Sequence, residues 1–548
     1  MPRLTLALAI ALFARPGHAV AQAAPGLSLD SAKIDAVFTE YGPTTPGCAL
    51  GVYHRGQVVY RKGYGMADLN LGVPITPGTM FDIGSTSKQF AAAAIVLLAN
   101  EGKLALSDDV RTYVPELPSY GATITIDHLL RHTSGLRDYN GLLYLAGYKF
   151  EDFTDDADAL KVIGQQRALN FAPGTRWDYS NTGYFLLSVI VKRVTGQSLA
   201  QYAKERIFGP LGMTASHFRD DHAAILKDRA TAYTPTATGF AIEMSDWDQT
   251  GDGAVNTNVL ELAKWDANFY DGRVGGRALI DRLEERGRLT NGDAIGYARG
   301  LFVDRYRGLR RIEHGGAWAG YRAMLMRLPD QGVSVGLGCN VANANTSDRA
   351  ERVLDVVLAG RFPEPKAAGT ATGAKPPPRV DPSPYLGLYF AEPLQSVIEI
   401  AAVDDRLTAR IQTARLPLVP SGVNEFTVEG LPTSLRFTED RRALTLTLLG
   451  EEQGPFVRVT PPTPDPSELA ALAGSYTSPE LSTTWTIAVD SGRAVLKARV
   501  FGQRPLEPVV RDVFRSSAGV VTVTRSGEGR ITGFEFSASR MLRIRFDR

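Results

Sequence analysis

Strand-like stretches lie at both ends of the first 360 residues and are scarce between them. Residues 49–53 (Ala-Leu-Gly-Val-Tyr) and 58–61 (Val-Val-Tyr-Arg) flank a turn at Arg55-Gly56 and read as a β-hairpin. Residues 322–328 and 333–337 alternate likewise around Pro329-Asp330-Gln331-Gly332. Between the two pairs the apolar spacing is helical, over 90–100, 127–136, 157–166, 184–194, 198–208 and 260–269. Two more helices are read at 28–41 and 347–358. That order points to one antiparallel sheet built from both ends of the region, with a helical insertion: an α+β fold.

At 548 residues the chain is too long for one core, and two to four domains are expected. Residues 363–379, rich in Ala, Gly, Thr and Lys and closing on Pro376-Pro377-Pro378, read as a linker. Beyond them the sequence repeats itself. Asp381-Pro-Ser precedes Gly387-Leu-Tyr389, and Asp465-Pro-Ser precedes Gly474-Ser-Tyr476. Short alternating segments dominate and helix is sparse. Two small antiparallel β-barrel modules are therefore expected, at 380–460 and 465–548, after a first domain at 28–360.

Residues 1–21 are set apart from the fold. Arg3 is a positive start, residues 4–14 are apolar but too short to span a bilayer, and Ala19-Val20-Ala21 offers a cleavage site. Export to a periplasm or outside the cell is expected, with cleavage after Ala21. No later stretch is apolar and long enough to span. The net charge is +1, from 60 basic and 59 acidic residues without a basic tract, so nucleic acid is not an expected partner. The two cysteines, Cys48 and Cys339, fit either a disulfide or two buried thiols.

Chemistry first appears at Ile83-Gly-Ser-Thr-Ser-Lys-Gln89. Ser85 and Lys88 stand one turn apart where the helix at 90–100 begins. A serine hydroxyl needs a neighbour to take its proton, and a lysine shielded from water has a lowered pKa. Downstream, Phe171-Ala-Pro-Gly-Thr-Arg-Trp-Asp-Tyr-Ser-Asn181 places Tyr179 and Asn181 on a loop before a helix. A phenol beside an ammonium is favoured as phenolate, which makes Tyr179 a candidate proton shuttle. The Asn181 amide can accept from Lys88 and donate to a substrate carbonyl. Glu313-His-Gly-Gly-Ala317 enters a strand, and its glycines allow a substrate backbone to approach.

Taken in order, Ser-x-x-Lys, Tyr-x-Asn and His-x-Gly resemble the penicillin-recognising serine hydrolases. Leu129-Leu-Arg-His-Thr-Ser-Gly135, Tyr179-Ser-Asn-Thr-Gly-Tyr184 and Pro210-Leu-Gly-Met213 are similar to that family as well. The family includes class C β-lactamases, D-Ala-D-Ala carboxypeptidases, D-aminopeptidases and esterases. The resemblance implies a β-lactamase-like catalytic domain with Ser85 as the acylated nucleophile. Lys88 and Tyr179 share general-base and general-acid duty. Asn181, His314 and Gly316 contact substrate, and the backbone N–H groups of Ser85 and Ala317 form the oxyanion hole. Neither metal nor cofactor is implied.

His314 stands where β-lactamases and carboxypeptidases of the family carry lysine. This departure is closer to the D-aminopeptidase and esterase branches. Two β-barrels after the catalytic domain, Gly251-Asp-Gly253 and Trp265-Asp266 are similar to the three-domain D-aminopeptidases. The resemblance therefore implies an amidase or peptidase acting on peptides, including those with D-residues such as opened microcystin. A carboxylesterase on small acyl esters, a β-lactamase and a non-catalytic β-lactam or peptidoglycan sensor are the alternatives. It also brings Cys48 and Cys339 onto neighbouring strands, and makes the β-modules lids over the site. Trp318 and Tyr321 are further candidates for the specificity pocket.

Two other patterns are set aside. Gly332-Val-Ser-Val-Gly336 matches a nucleophile elbow, but Val333, Val335 and Leu337 continue as a strand where an elbow turns into a helix. His128 and His132 share a helical spacing without a third ligand, and read as capping and packing rather than as a metal site.

Overall fold

The computed structural model of the chain describes residues 27–363 and 380–548, apart from residues 405, 412–413, 430–432 and 449–450. The leader read at 1–21 and nearly all of the linker read at 363–379 lie outside the described residues.

Strands β1 (Cys48–His54) and β2 (Gln57–Tyr64) form the expected hairpin. Arg55 and Gly56 between them both have positive φ, as a tight hairpin turn with the twist of its strands requires. Four strands follow the helical block: β3 (Phe302–Tyr306), β4 (Leu309–Trp318), β5 (Tyr321–Leu328) and β6 (Val333–Cys339). The six make one antiparallel sheet in the order β3-β4-β5-β6-β1-β2. Thus β1 pairs with β6, and the sheet is built from both ends of the region. In that register Cys48 faces Cys339, and the two form a disulfide.

Both sheet faces are covered. Met324, Met326 and Leu328 of β5 pack with Val353 and Leu354 of helix α4 (Thr346–Val357). Ala323 and Leu325, pointing the other way, join the core of the helical block. In that block α1 (Lys88–Asn100) packs on α2 (Asn181–Thr195), while α3 (Val259–Asp271) lies over β1, β2 and β6. Every residue of α1 from Lys88 to Leu98 is buried, which marks it as an interior helix. The helix read over 28–41 is shorter, an α-turn at Ser31–Asp35 tightening to 3-10 at Ala36–Phe38, so that Val37 and Phe38 enter the core.

Eight strands between Gly387 and Val459 close into a barrel. Nine more, between Gly474 and Asp547, form a second curled sheet. Its two edge strands, Gly502–Pro505 and Glu507–Val510, are consecutive in the chain. The repeated Gly-x-Tyr has one structural job in both. The Tyr389 hydroxyl donates to the Tyr385 carbonyl at 2.9 Å, and the Tyr476 hydroxyl to the Leu472 carbonyl at 2.6 Å, four residues upstream each time. A helix at Pro466–Leu472 opens the second module.

That second module is fused to the helical block. Its apolar residues, Trp485 and Phe534 among them, share one core with α1 and α2. Arg137 is buried in the seam, where its guanidinium donates to Gln166 Oε1 at 2.9 Å, to the Glu480 carboxylate and to the Arg543 carbonyl at 3.0 Å. Met541 packs directly on Gly141, at a distance that leaves no room for a Cβ. The turn at Ser539–Arg540 of the second module is thereby held against the first domain at Asp138 and Gly141.

Candidate active site

Gly84–Ser87 is a 3-10 turn, and the α-helix proper starts at Lys88. Ser85 therefore precedes the α-helix rather than opening it. In a 3-10 turn residues three apart eclipse, which sets the Lys88 side chain beside the Ser85 side chain. Lys88 Nζ lies 3.0 Å from Ser85 Oγ, 2.8 Å from Asn181 Oδ1 and 2.6 Å from the Asp252 carbonyl. Lys88 is fully buried, and desolvation pulls its pKa down to about 7 against the opposing pull of the Asp252 and Asp138 carboxylates. Burial pushes the Asp252 carboxyl above the usual carboxylate range.

Asn181 is the first residue of α2 rather than part of the preceding loop. Its N–H donates to Asp138 Oδ2 at 2.8 Å, so the helix start is capped from a distant segment and carries no local signal. Tyr179 is held from behind by His132, whose ring centroid is 4.1 Å away and whose Nδ1 accepts from the Ser180 N–H at 3.2 Å. His128 has a local task, completing a capping box with Thr125 at the start of helix Ile126–Leu130. Burial raises the Tyr179 pKa well above the usual phenol range, with the Ser85 hydroxyl the chief influence opposing the rise. The expectation of a phenolate beside Lys88 therefore gives way to a neutral phenol, because desolvation outweighs the opposing pull of the Ser85 hydroxyl and Arg540. The Tyr179 hydroxyl is buried beside the Ser85 hydroxyl, without a fully formed hydrogen bond among the described residues.

β4 closes the other side. β3 pairs with it only as far as Glu313, so among the described residues His314 to Trp318 have β5 on one edge and no strand on the other. The strand is pressed onto the Ser85 turn. Thr86 Oγ1 donates to the His314 carbonyl at 3.1 Å, and a Cβ on Gly316 would stand 1.8 Å from the Ile83 carbonyl oxygen. A Cβ on Gly84, at φ +47°, would stand 2.7 Å from the Ala317 nitrogen. Ser85 and Ala317 are thus brought to the same cavity wall by two glycines.

His314 is buried. Its Nε2 accepts from the Tyr297 hydroxyl at 3.0 Å and its Nδ1–H donates to the Gly315 carbonyl at 2.6 Å. Desolvation, aided by Lys88, pulls its pKa to about 3, so it is a neutral imidazole. Trp318 lines the cavity, with Phe150 and Trp247 at ring distances of 5.0 and 5.6 Å. Tyr321 does not, since its hydroxyl is turned into the core to meet the Ala230 carbonyl at 2.5 Å. Ser334 is buried in β6 and donates to Asp266 at 2.7 Å, far from any elbow geometry.

These groups surround a cavity of about 970 Å³ that holds Ser85, Tyr179, Asn181, His314, Gly316 and Ala317 in its wall. Leu448 and Gln453 of the first β-module and Arg540 of the second also reach that wall. Sequence reasoning missed Asp138, Tyr297 and Arg540, none of which stands in a recognisable pattern. Asp252 was noticed only as part of Gly-Asp-Gly.

The Beta-lactamase family profile matches residues 34–359, more than half of the chain. The chain belongs to the Beta-lactamase family. It is, as the three ordered motifs implied, a serine hydrolase of that family, with two β-modules after the family domain. The D-aminopeptidase of Cereibacter sphaeroides (strain ATCC 17029 / ATH 2.4.9) is 28% identical over 499 residues, covering 89% of this chain and 90% of that protein. The D-aminopeptidase of Gluconobacter oxydans (strain 621H) is 30% identical over 293 residues, covering 53% and 55%. Among solved structures, the octameric penicillin-binding protein homologue from Pyrococcus abyssi superposes with a TM-score of 0.57 at 22% identity, over 85% of this chain and 98% of that one. The likeness to that structure shows the Beta-lactamase fold alone. Among the described residues no helix of this family member is long and apolar enough to cross a membrane.

Proposed function

We propose that the chain hydrolyses amide bonds in peptides, D-residues included, through an acyl-enzyme on Ser85. The observation that carries this reading is the 3.0 Å contact between Ser85 Oγ and a buried lysine whose pKa is pulled to about 7. A neutral Lys88 takes the Ser85 proton as Oγ attacks the carbonyl carbon. The oxyanion forms between the N–H groups of Ser85 and Ala317, worth about 3 kcal/mol per donor in comparable sites. Tyr179, a neutral phenol, gives its proton to the leaving amine and is recharged through Lys88. Water then repeats the sequence on the ester, with Lys88 again as base.

Substrate lies along the open edge of β4 at 314–318, where an extended backbone adds as a strand. Asn181 meets its carbonyl. His314, neutral and tied to Tyr297, shapes the wall and supplies no charge. Phe150, Trp247 and Trp318 offer a site for a large apolar side chain. The kinship with two D-aminopeptidases supports amides over esters as substrates. The Cys48–Cys339 bridge supports export, since such bonds persist in oxidising compartments.

The deciding experiment mixes purified protein with D- and L-amino acid p-nitroanilides, a D-Ala-D-Ala peptide, a p-nitrophenyl ester and nitrocefin. Ser85→Ala is the control. Amide turnover that falls at least about a thousandfold in the variant is expected. Turnover of ester or nitrocefin alone would replace this reading with the esterase or β-lactamase one, and stable labelling without turnover would make the protein a sensor.

A further inference from the structure

Arginines line the catalytic cavity at three places, and two of them are occupied. Arg219 donates to the carbonyls of Ser245 and Trp247, and Arg322 to those of Ala319 and Tyr321. Arg540 makes no side-chain hydrogen bond among the described residues. It forms a loose ion pair with Asp138 Oδ2 at 3.9 Å, too long for a hydrogen bond, with its guanidinium 4.6 Å over the Tyr179 ring. Lys88 Nζ lies 4.9 Å from the centroid of that same ring. Arg540 is thus about one tyrosine away from the reacting serine, and its side chain is 41% exposed.

The position is fixed by the backbone rather than by chance of rotamer. The Arg540 carbonyl accepts from Asn170 Nδ2 at 2.7 Å and from the Asp138 N–H at 3.3 Å, and the Leu542 N–H donates to Asn170 Oδ1 at 2.9 Å. Arg540 also borders a second cavity of about 820 Å³ between the two β-modules. Trp177, Asp178, Leu448 and Gln453 line both cavities with it. A partly exposed guanidinium at the junction of two cavities offers paired donors to a carboxylate.

We propose that Arg540, delivered by the second β-module, is the anchor for a carboxylate on the peptide substrate. The inference rests on the peptidase reading above and goes beyond it by naming a substrate class: peptides bearing an acidic side chain or a free C-terminus on the β-module side of the scissile bond. It also accounts for a neutral His314. The permanent cation enters from another domain. The peptide beyond the anchor runs on into the second cavity.

The test uses the full chain and its Arg540→Ala, Arg540→Lys and Arg540→Glu forms. Substrates are short peptides in matched pairs, Glu against Gln at one position or free against amidated C-terminus. Melting temperatures confirm that each variant is folded, and the three changes together guard against failure of one. The wild type is expected to prefer one carboxylate position by about tenfold or more in kcat/KM. Arg540→Ala should erase that preference, Arg540→Lys should keep part of it, and Arg540→Glu should reverse it. No carboxylate preference in the wild type, or a preference unchanged in Arg540→Ala, overturns the proposal. An equal loss on all peptides also overturns it, making Arg540 a support for Tyr179. The same pairs are titrated calorimetrically against Ser85→Ala. Hydrolysis that survives Ser85→Ala defeats the peptidase reading, whereas equal Kd values within every pair defeat the anchor alone.

Discussion

A buried ammonium with a pKa near 7 is protonated at pH 6 and largely neutral at pH 8, and the proposed base works only when neutral. Hydrolysis by the wild type should therefore rise about tenfold per pH unit below 7 and flatten above it. A flat kcat/KM profile between pH 5 and 9 would remove Lys88 from that role. Lys88→Arg keeps a cation but cannot deprotonate at these pH values, and a loss of about a hundredfold or more is expected in acylation kinetics. His314 should add no limb to the profile, because burial keeps it neutral down to about pH 3. His314→Gln, which still accepts from Tyr297, should leave the profile's shape unchanged. At this scale the sequence was informative where chemistry dictates residue type. Ser85, Lys88, Tyr179, Asn181, His314, Gly316 and Ala317 all come to one cavity wall or, for Lys88, directly behind it. It was silent on Asp138, Tyr297 and Arg540, since a carboxylate, a phenol and a guanidinium fit almost any surface or core until their neighbours are known.

The elements that carry those residues were legible in proportion to their local signals. Hairpin β1–β2, helix α1 and strands β5 and β6 show clean apolar periodicity. β3 and β4 do not: Asp304 and Arg305 crowd the first, Arg310 and Arg311 the second, and Gly315-Gly316 interrupts the second as well. Those glycines exist for contact with the Ser85 turn. Gly316→Ala should force β4 away from Ile83, at a cost of about 1–3 kcal/mol in stability. The loss of activity should be larger than that cost implies, because the Ala317 N–H, the proposed oxyanion donor, moves with the strand. Denaturant titration beside kcat/KM would separate the two, and a variant with both values unchanged would show that the strand has room to give. The early start of α2 escaped reading for a related reason, as its cap is the side chain of Asp138 rather than a neighbour in sequence.

Across the whole molecule, three units act as one. The two β-modules were visible through their Gly-x-Tyr repeat, but the fusion of the second to the catalytic domain, and the packing of the first on the second, were not, because a docking face has no periodicity of its own. Arg137, pinned between Gln166, Glu480 and the Arg543 carbonyl, is the polar lock of that seam. Arg137→Met strands a buried carboxylate and should lower stability by about 3–5 kcal/mol, read as a fall in melting temperature. A melting temperature equal to the wild type would mean that the seam is held by apolar contact alone. The Cys48–Cys339 bridge acts on the sheet in the same way. Replacing both cysteines with serine should cost about 2–5 kcal/mol, given how long a loop it closes.

β1 belongs beside β6, and this pairing sets a timetable. The ribosome delivers the first hairpin early, yet its partner strand waits until residues 333–339 have been made. Throughout that interval the hairpin presents an unsatisfied edge and Cys48 has no mate. Such an edge pairs readily with whatever strand it meets. The first-made and last-made strands of the family domain are therefore neighbours, and neither the sheet nor its disulfide can be completed before residues 333–339 are available.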